Sequence, residues 1–272
     1  VGFGGLNWYD NTARMHDPLL MHFTAPDPKA TTFSQYSPWS HCAANPANLM
    51  DLDGEKPTAA EGAAMAAHIY GDKKDNILIG GWQKTSNNLG LKLRNEAGLN
   101  SAIYVRMVNN TAVEYAYVTA GTEPEWADIK ADITQLFGAS EQYSKSVDNA
   151  ILIDNHLKEE MPGIELTFIG HSLGGSQAAL NSIITGRSAL TFNPAGISIP
   201  TIVKEGGIKS LFKSQKMIDA YIMKTDPLNY LQDRLTIPEA NGNRHYLTPK
   251  DFSSFVNGHS INSILKSLGI KP

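Results

Sequence analysis

Apolar positions change their spacing about a fifth of the way along the chain. Up to roughly residue 56 they follow neither a helical nor a strand period, and the line from His22 to Gly54 is full of turn residues, which predicts an irregular arm. From Pro57 the spacing becomes regular. Pro57-Thr-Ala-Ala-Glu-Gly-Ala-Ala-Met-Ala-Ala-His-Ile-Tyr70 has a proline at its start, an alanine-rich body and Gly71 as its stop, and reads as a helix. Ile77-Leu-Ile79 reads as a short strand. Ser101–Val108 and Ala112–Thr119 read as strands joined through Asn109-Asn110, a hairpin turn. Glu125–Phe137 and Glu141–Glu159 read as helices, Ile164–Ile169 as an apolar strand, and Ser176–Ile184 as a helix. Strands Ala189–Asn193, Ile218–Lys224 and Arg244–Leu247 follow, then a final helix from Ser260 to Leu268. Strands alternating with helices predict an α/β fold with a mostly parallel central sheet covered on both faces. Two regions result: the arm, 1–56, and a regular domain, 57–272.

Bulk numbers narrow the class. With 42% hydrophobic and 18% charged residues, the chain reads as globular and not as a disordered tract. A formal charge of −4 supplies neither a basic face for nucleic acid nor a polybasic membrane patch. One cysteine, Cys42, excludes an internal disulfide framework and a multi-cysteine zinc site. No apolar run approaches the ~18 residues of a membrane span. The chain begins at Val1 without a signal-peptide pattern and reads as a piece of a longer product, so any export signal is expected upstream.

Chemistry concentrates at Gly170-His171-Ser172-Leu173-Gly174-Gly175, between the strand ending at Ile169 and the helix from Ser176. This is strand, sharp turn and helix with a serine at the apex. A serine hydroxyl is a poor nucleophile until a base takes its proton and donors receive the developing oxyanion. A nucleophile elbow meets part of that need. Glycines two residues either side permit the turn, Oγ projects, and the N–H of Leu173 points where an oxyanion would form. The bare Gly-x-Ser-x-Gly pattern is weak; its strand and helix flanks give it weight.

Such a serine needs a histidine base and an orienting acid, and in α/β-hydrolases the acid and then the base follow it in the chain. Asp226 stands just beyond strand Ile218–Lys224 and before Pro227, so it is the preferred acid, with turn capping as its ordinary role. Asp219 lies within that strand, Asp233 in a later polar stretch, and Glu205, Glu239 and Asp251 in loops. Only His245 and His259 follow as candidate bases. His245 alternates within a strand, whereas His259 follows Gly258 at the start of the last helix and is preferred. His171, adjacent to the serine, reads as a support of the elbow. A second oxyanion donor should come from the loop after an earlier strand, where Gly121-Thr122 offers a backbone N–H and a hydroxyl. No histidine pair shows metal-ligand spacing beside a carboxylate, and no cofactor is expected.

Two resemblances extend this reading. Thr119-Ala-Gly-Thr122, Trp126-x-Asp128, Gln135, Gly138, Gln142-Tyr143, the Gly170–Gly175 elbow and Thr191-Phe-Asn-Pro-Ala-Gly196 together resemble the class 3 (fungal-type) lipase family, in its bacterial branch. The similarity runs over about 57–268. It implies a lipase-type α/β-hydrolase acting on lipid esters, with Ser172 as nucleophile, Asp226 and His259 completing the triad, and Thr122 with Leu173 at the oxyanion hole. The 33 residues between acid and base are fewer than that family usually has. In the arm, Trp8-Tyr-Asp-Asn-Thr-Ala-Arg-Met-His-Asp-Pro18, Phe23-Thr-Ala-Pro-Asp-Pro28, Ser37-Pro-Trp39 and Cys42 to Gly54 resemble the end of an Rhs/YD-repeat core. Leu52 stands where that signature carries proline, in a region where family members can cleave themselves. This resemblance implies that the domain is cargo, a toxin or secreted effector acting outside the producing cell, with an Rhs shell and an immunity protein as partners. The same triad would also serve acyl transfer or amide cleavage, and a hydrolase scaffold can persist as a non-catalytic interaction module. Ile197–Pro200 with Ile202 and Val203 would line an acyl cleft or, on pattern alone, fill core.

Overall fold

The alternation after Pro57 builds one seven-stranded sheet. Its strands are β1 (Trp82–Lys84), β2 (Ser101–Val108), β3 (Thr111–Thr119), β4 (Glu165–His171), β5 (Ser188–Phe192), β6 (Ile218–Met223) and β7 (Asn243–Leu247). The computed structural model describes 57–71, 77–108, 111–121, 140–234 and 237–271, with three very short strands before them. The sheet order is β7-β6-β5-β4-β3-β2-β1, so each strand lies beside its neighbour in sequence. β1, β2 and β3 pair antiparallel, and every pair from β3 to β7 is parallel. The β2–β3 register closes at Val108 opposite Thr111, as a two-residue hairpin connection demands.

Each face of the sheet is covered, as parallel strands require. Alternation along β2 and β3 sends Ile103 and Tyr117 to one face and Ala102, Tyr104, Ala116 and Val118 to the other. On the first face, α2 (Ser140–Glu160) and α3 (Leu173–Thr185) pack Ile153, Leu157, Leu180 and Ile183 onto Leu166 and Phe168. On the second, α1 (Ala59–His68) and the last helix, α8 (Ile261–Ser267), bring Met65, Ala66, Ile261, Ile264 and Leu265 onto Leu190, Phe192 and Tyr221. Shorter helices α4 (Ile199–Lys204), α5 (Leu211–Ser214), α6 (Pro227–Gln232) and α7 (Phe252–Val256) fill the connections between β5 and α8.

Local chemistry sets these boundaries. Helix α1 starts on a reciprocal cap: Thr58 Oγ1 accepts from the Glu61 N–H, and the Glu61 carboxylate accepts from the Thr58 N–H. Glu61 is buried, and Arg106 of β2 lies 3.3 Å from it while stacking over Trp82. That pair ties α1 to the antiparallel edge of the sheet.

One expectation needs correction. Ile77–Ile79 is not a strand: Ile77 is exposed, and the chain makes a single 3₁₀ turn at Ile79–Gly81, with Gly80 at φ 73° and Gly81 at φ 79°. Two consecutive left-handed residues cannot continue a strand, so pairing begins at Trp82, which is fully buried. Within the arm, Tyr9–Asp10, Met15–Asp17 and His22–Phe23 pair as a small antiparallel sheet. Strands of two or three residues are too short to show a period. The helix expected at Glu125–Phe137 lies outside the described residues.

Close approach of α3 to the sheet is what places the elbow. A Cβ on Gly174 would lie 2.2 Å from the Thr119 carbonyl oxygen, and one on Gly170 would lie 2.1 Å from the Gly174 carbonyl oxygen. Both obstacles are backbone and cannot rotate away. We predict that Gly174→Ala lowers stability by more than ~4 kcal/mol. By contrast Gly186→Ala, at the left-handed end of α3 where a Cβ meets nothing, costs about 1 kcal/mol. Thermal unfolding of the two variants checks the difference.

Candidate active site

Ser172 sits between the last residue of β4 and the first of α3, at φ 58° and ψ −126°. For a residue with a Cβ this is a sparsely populated conformation, costing on the order of 1–3 kcal/mol. Its neighbours hold it there. The Ser172 N–H donates to the Phe192 carbonyl at 3.0 Å, and the Ser172 carbonyl accepts from Ser176 at 3.2 Å and Ala195 at 3.3 Å. Its side chain makes no capping bond to its own helix, so Oγ is left to face elsewhere.

It faces His259, whose Nε2 lies 2.9 Å from Ser172 Oγ. The other ring nitrogen, Nδ1, lies 2.8 Å from Asp226 Oδ1. A carboxylate accepts, so Nδ1 carries the hydrogen and Nε2 presents its lone pair to the serine hydroxyl. Asp226 follows β6 and caps α6, with Pro227 at the first helical position. Its carboxylate also accepts from the Leu228 and Asn229 N–H groups at 3.2 and 3.3 Å and from the Asn229 side-chain amide. Turn capping and orientation of the imidazole are thus performed by one side chain. Ser172, Asp226 and His259 are all buried.

His259 comes from the far end of the chain, and apolar burial brings it in. Ser260 caps α8, and Ile261, Ile264 and Leu265 are buried against α1 and the sheet, each contributing about 2 kcal/mol. Asn193, at the end of β5, then clamps the loop. Its amide donates to the Gly258 and His259 carbonyls at 2.8 and 3.1 Å, while its Oδ1 accepts from the Met223 N–H at 2.8 Å. Asn193 itself stands at φ 43°, which asparagine tolerates better than most residues. Nothing in the local pattern marks that role, although the residue belongs to the Phe-Asn-Pro-Ala-Gly run.

The other candidates are engaged elsewhere. His245 Nε2 pairs with Asp219 at 2.8 Å and stacks on Tyr221, on neighbouring strands β7 and β6. Asp233 and Glu239 both meet Arg244, Asp251 caps α7, and Glu205 accepts from Ser144. Leu173 opens α3 directly behind the serine, where helix N-terminal N–H groups favour negative charge. Thr122 lies outside the described residues. The residue before it, Gly121, is packed so close to the elbow that a Cβ there would come 2.9 Å from Ser172 Cβ and 3.1 Å from the Leu173 nitrogen. Of the apolar stretch after Gly196, Ile197 and Ile202 are core, whereas Ile199 and Val203 are about half exposed.

His171 is buried beside this group. Burial first, and then the neighbouring His259, hold its pKa down to about 3, so it is neutral at ordinary pH.

A mostly parallel sheet with a strained serine elbow at the end of one strand, and an acid and a histidine supplied after later strands, defines an α/β-hydrolase. Solved lipases share the fold: one fungal lipase in complex with an inhibitor aligns over 78% of this chain and 95% of its own, with TM-score 0.52 and 12% identity. The Rhizomucor miehei lipase–propeptide complex aligns over 78% of each chain, with TM-score 0.51 and 12% identity. In sequence, 143 residues are 32% identical to an extracellular phospholipase A1 of Serratia liquefaciens, over 51% of this chain and 43% of that protein. The chain therefore spans under half the length of that relative. Residues 61–261 match the phospholipase-like family model described as the Tle-like phospholipase domain. The chain belongs to this family. Among the described residues no helix is long and apolar enough to cross a membrane, and no three His, Cys, Asp or Glu side chains gather as a metal ion would need.

Neutral His171 makes stability depend on pH. An unfolded chain takes up a proton at this residue below about pH 6.5, while the folded chain takes it up only near pH 3. Between those values the unfolded state binds more protons, so stability falls as pH drops, by at most about 1.4 kcal/mol per pH unit for this one group. Denaturant unfolding of wild type and His171→Gln between about pH 7 and 4 should show the shallower slope in the variant.

Proposed function

We propose that this domain hydrolyses carboxylic esters of lipids, phospholipids in particular, with Ser172 as nucleophile, His259 as base and Asp226 as orienting acid. The observation that carries the proposal is the ring of His259 bridging Ser172 Oγ and Asp226 Oδ1 at 2.9 and 2.8 Å. His259 Nε2 accepts the Ser172 proton as Oγ bonds to the ester carbonyl carbon. The carbonyl π electrons move to oxygen, and the oxyanion is held by the Leu173 N–H and, from the loop after Gly121, by Thr122. The imidazolium, steadied by Asp226, returns its proton to the leaving alcohol as the C–O bond breaks. Water then enters, His259 takes its proton, hydroxide adds to the acyl carbon, and collapse releases the acid and restores the serine. No step calls for a metal or organic cofactor.

Family membership and the phospholipase named among the relatives support lipid as substrate. So does the surface beside the base. Phe252 is 81% exposed, and Phe255 and Val256 stand out from the same helix, α7, directly before Asn257-Gly258-His259. Apolar side chains at that position suit contact with an aggregated lipid substrate. An extracellular relative and the Rhs-like arm together favour action outside the producing cell, with an Rhs shell as carrier and an immunity protein as its counterpart.

Ser172→Ala should reduce kcat/KM on a soluble p-nitrophenyl ester by at least about 10⁴-fold. Asp226→Asn should cost a similar order while leaving fluorophosphonate attachment to Ser172 slow but measurable. Lipid analysis of phospholipid and triacylglycerol vesicles exposed to the wild-type chain then fixes the ester class. Undiminished ester hydrolysis by Ser172→Ala would overturn the assignment, and release from peptide substrates alone would replace ester with amide chemistry.

A further inference from the structure

Tyr70 and His171 stand beside the elbow and take no part in the reaction sequence above. Tyr70 lies just beyond α1, and its hydroxyl accepts from the Gly121 N–H at 2.9 Å. The same hydroxyl lies 2.9 Å from His171 Nδ1, and His171 Nε2 lies 2.7 Å from the His259 carbonyl oxygen. We propose that Tyr70 and His171 are positioning residues, forming a relay that ties the loop after β3 to the backbone of His259. The relay thereby sets the base and the oxyanion donors relative to one another. The proposal rests on the reading of Ser172 and His259 as the reacting pair.

The direction of every bond in the relay is determined by its ends. A backbone N–H only donates and a carbonyl only accepts. His171 Nε2 must therefore carry the hydrogen it gives to the His259 carbonyl. With the ring neutral, Nδ1 holds a lone pair, so the Tyr70 hydroxyl donates to it and receives the Gly121 N–H in return. One assignment satisfies all the groups, and aligned donors of this kind strengthen one another in a dry interior. A protonated His171 would break the pattern, because Nδ1 would then compete as a donor for the tyrosine oxygen. It would also set a charge against His259, whose ring centroid is 5.1 Å away and which becomes an imidazolium during the reaction. Burial and that same neighbour keep His171 neutral.

The relay joins segments far apart in sequence: 51 residues separate Tyr70 from Gly121, 101 separate it from His171, and 88 separate His171 from His259. Both ends fall on reacting geometry. Gly121 leans on Ser172 and on the Leu173 nitrogen, and the His259 carbonyl belongs to the proposed base itself. Asn193 supplies a second donor to that carbonyl, from β5, but makes no link to the β3 loop. Among the described residues, Tyr70 and His171 carry the hydrogen bonds that connect the β3 loop to the His259 backbone. Misplacing a reacting group by an ångström can cost about a hundredfold in rate without weakening ground-state binding.

The test uses the full chain with a soluble p-nitrophenyl ester, a fluorophosphonate probe, and ¹⁵N-histidine NMR. Tyr70→Phe should lower kcat by roughly ten- to hundredfold with KM within about twofold, and should slow probe attachment by the same factor. His171→Gln, which retains a donor for the His259 carbonyl, should recover more kcat than His171→Leu. In the wild type, His171 should show the Nε2–H tautomer without titration from about pH 5 to 9. The proposal is overturned by Tyr70→Phe retaining wild-type kcat, by His171→Gln performing no better than His171→Leu, or by an Nδ1–H or titrating His171. If the variants do not fold, the wild-type spectrum decides. Failure of the probe to label wild-type Ser172 would instead remove the assignment of the reacting pair, leaving the tautomer to report on the relay alone.

Discussion

Ser172 is held in a backbone conformation that an L-residue rarely adopts, and the rest of the site is arranged around keeping it there. The strain, a few kcal/mol at most, is offset by bonds from three directions: β5 receives the serine N–H, the first turn of α3 and the segment after β5 both donate to its carbonyl. The contact of α3 with β3 is so tight that a single methyl group on Gly174 would meet backbone. Register between β4 and β5, glycine at two positions and the small residues of α3 are therefore one constraint seen from several sides. Relax any of them and the hydroxyl turns away from the imidazole.

The polar groups of the site are buried, which ordinarily costs stability unless each finds a partner. Asp226 meets that demand with two backbone donors, an asparagine amide and the imidazole. His171 meets it while uncharged, bonded through both ring nitrogens. The site thus holds one histidine bonded to a serine hydroxyl and a carboxylate, and another, 5.1 Å away, kept neutral by burial.

Much of this was legible in the sequence because its signals are local. A strand, Gly-x-Ser-x-Gly and a helix sit within some twenty consecutive residues, and Asp226 announces itself by following an apolar run and preceding proline. His259 was separable from His245 because one alternates inside a strand and the other does not. The failures have a physical pattern as well. Ile77–Ile79 has strand composition, yet Gly80 and Gly81 adopt left-handed angles that a three-residue apolar run cannot reveal. Tyr70 read only as the end of an alanine-rich helix, since its partners lie 51 and 101 residues away. Asn193 was visible in a motif but not as a clamp, because the carbonyls it holds belong to a loop 65 residues later.

The sheet is wound so that each new strand lies beside the one made just before it. During synthesis, then, every strand from β2 onward emerges next to an edge already waiting for it, and the half-built sheet needs no distant piece to grow. The imidazole is the exception. It arrives after β7, at the outer edge, and must be carried back across two finished strands by the docking of α8. Until those last turns settle, the nascent protein owns a serine and a carboxylate with nothing to connect them. Docking of α8 is therefore the step that sets His259 between Ser172 and Asp226.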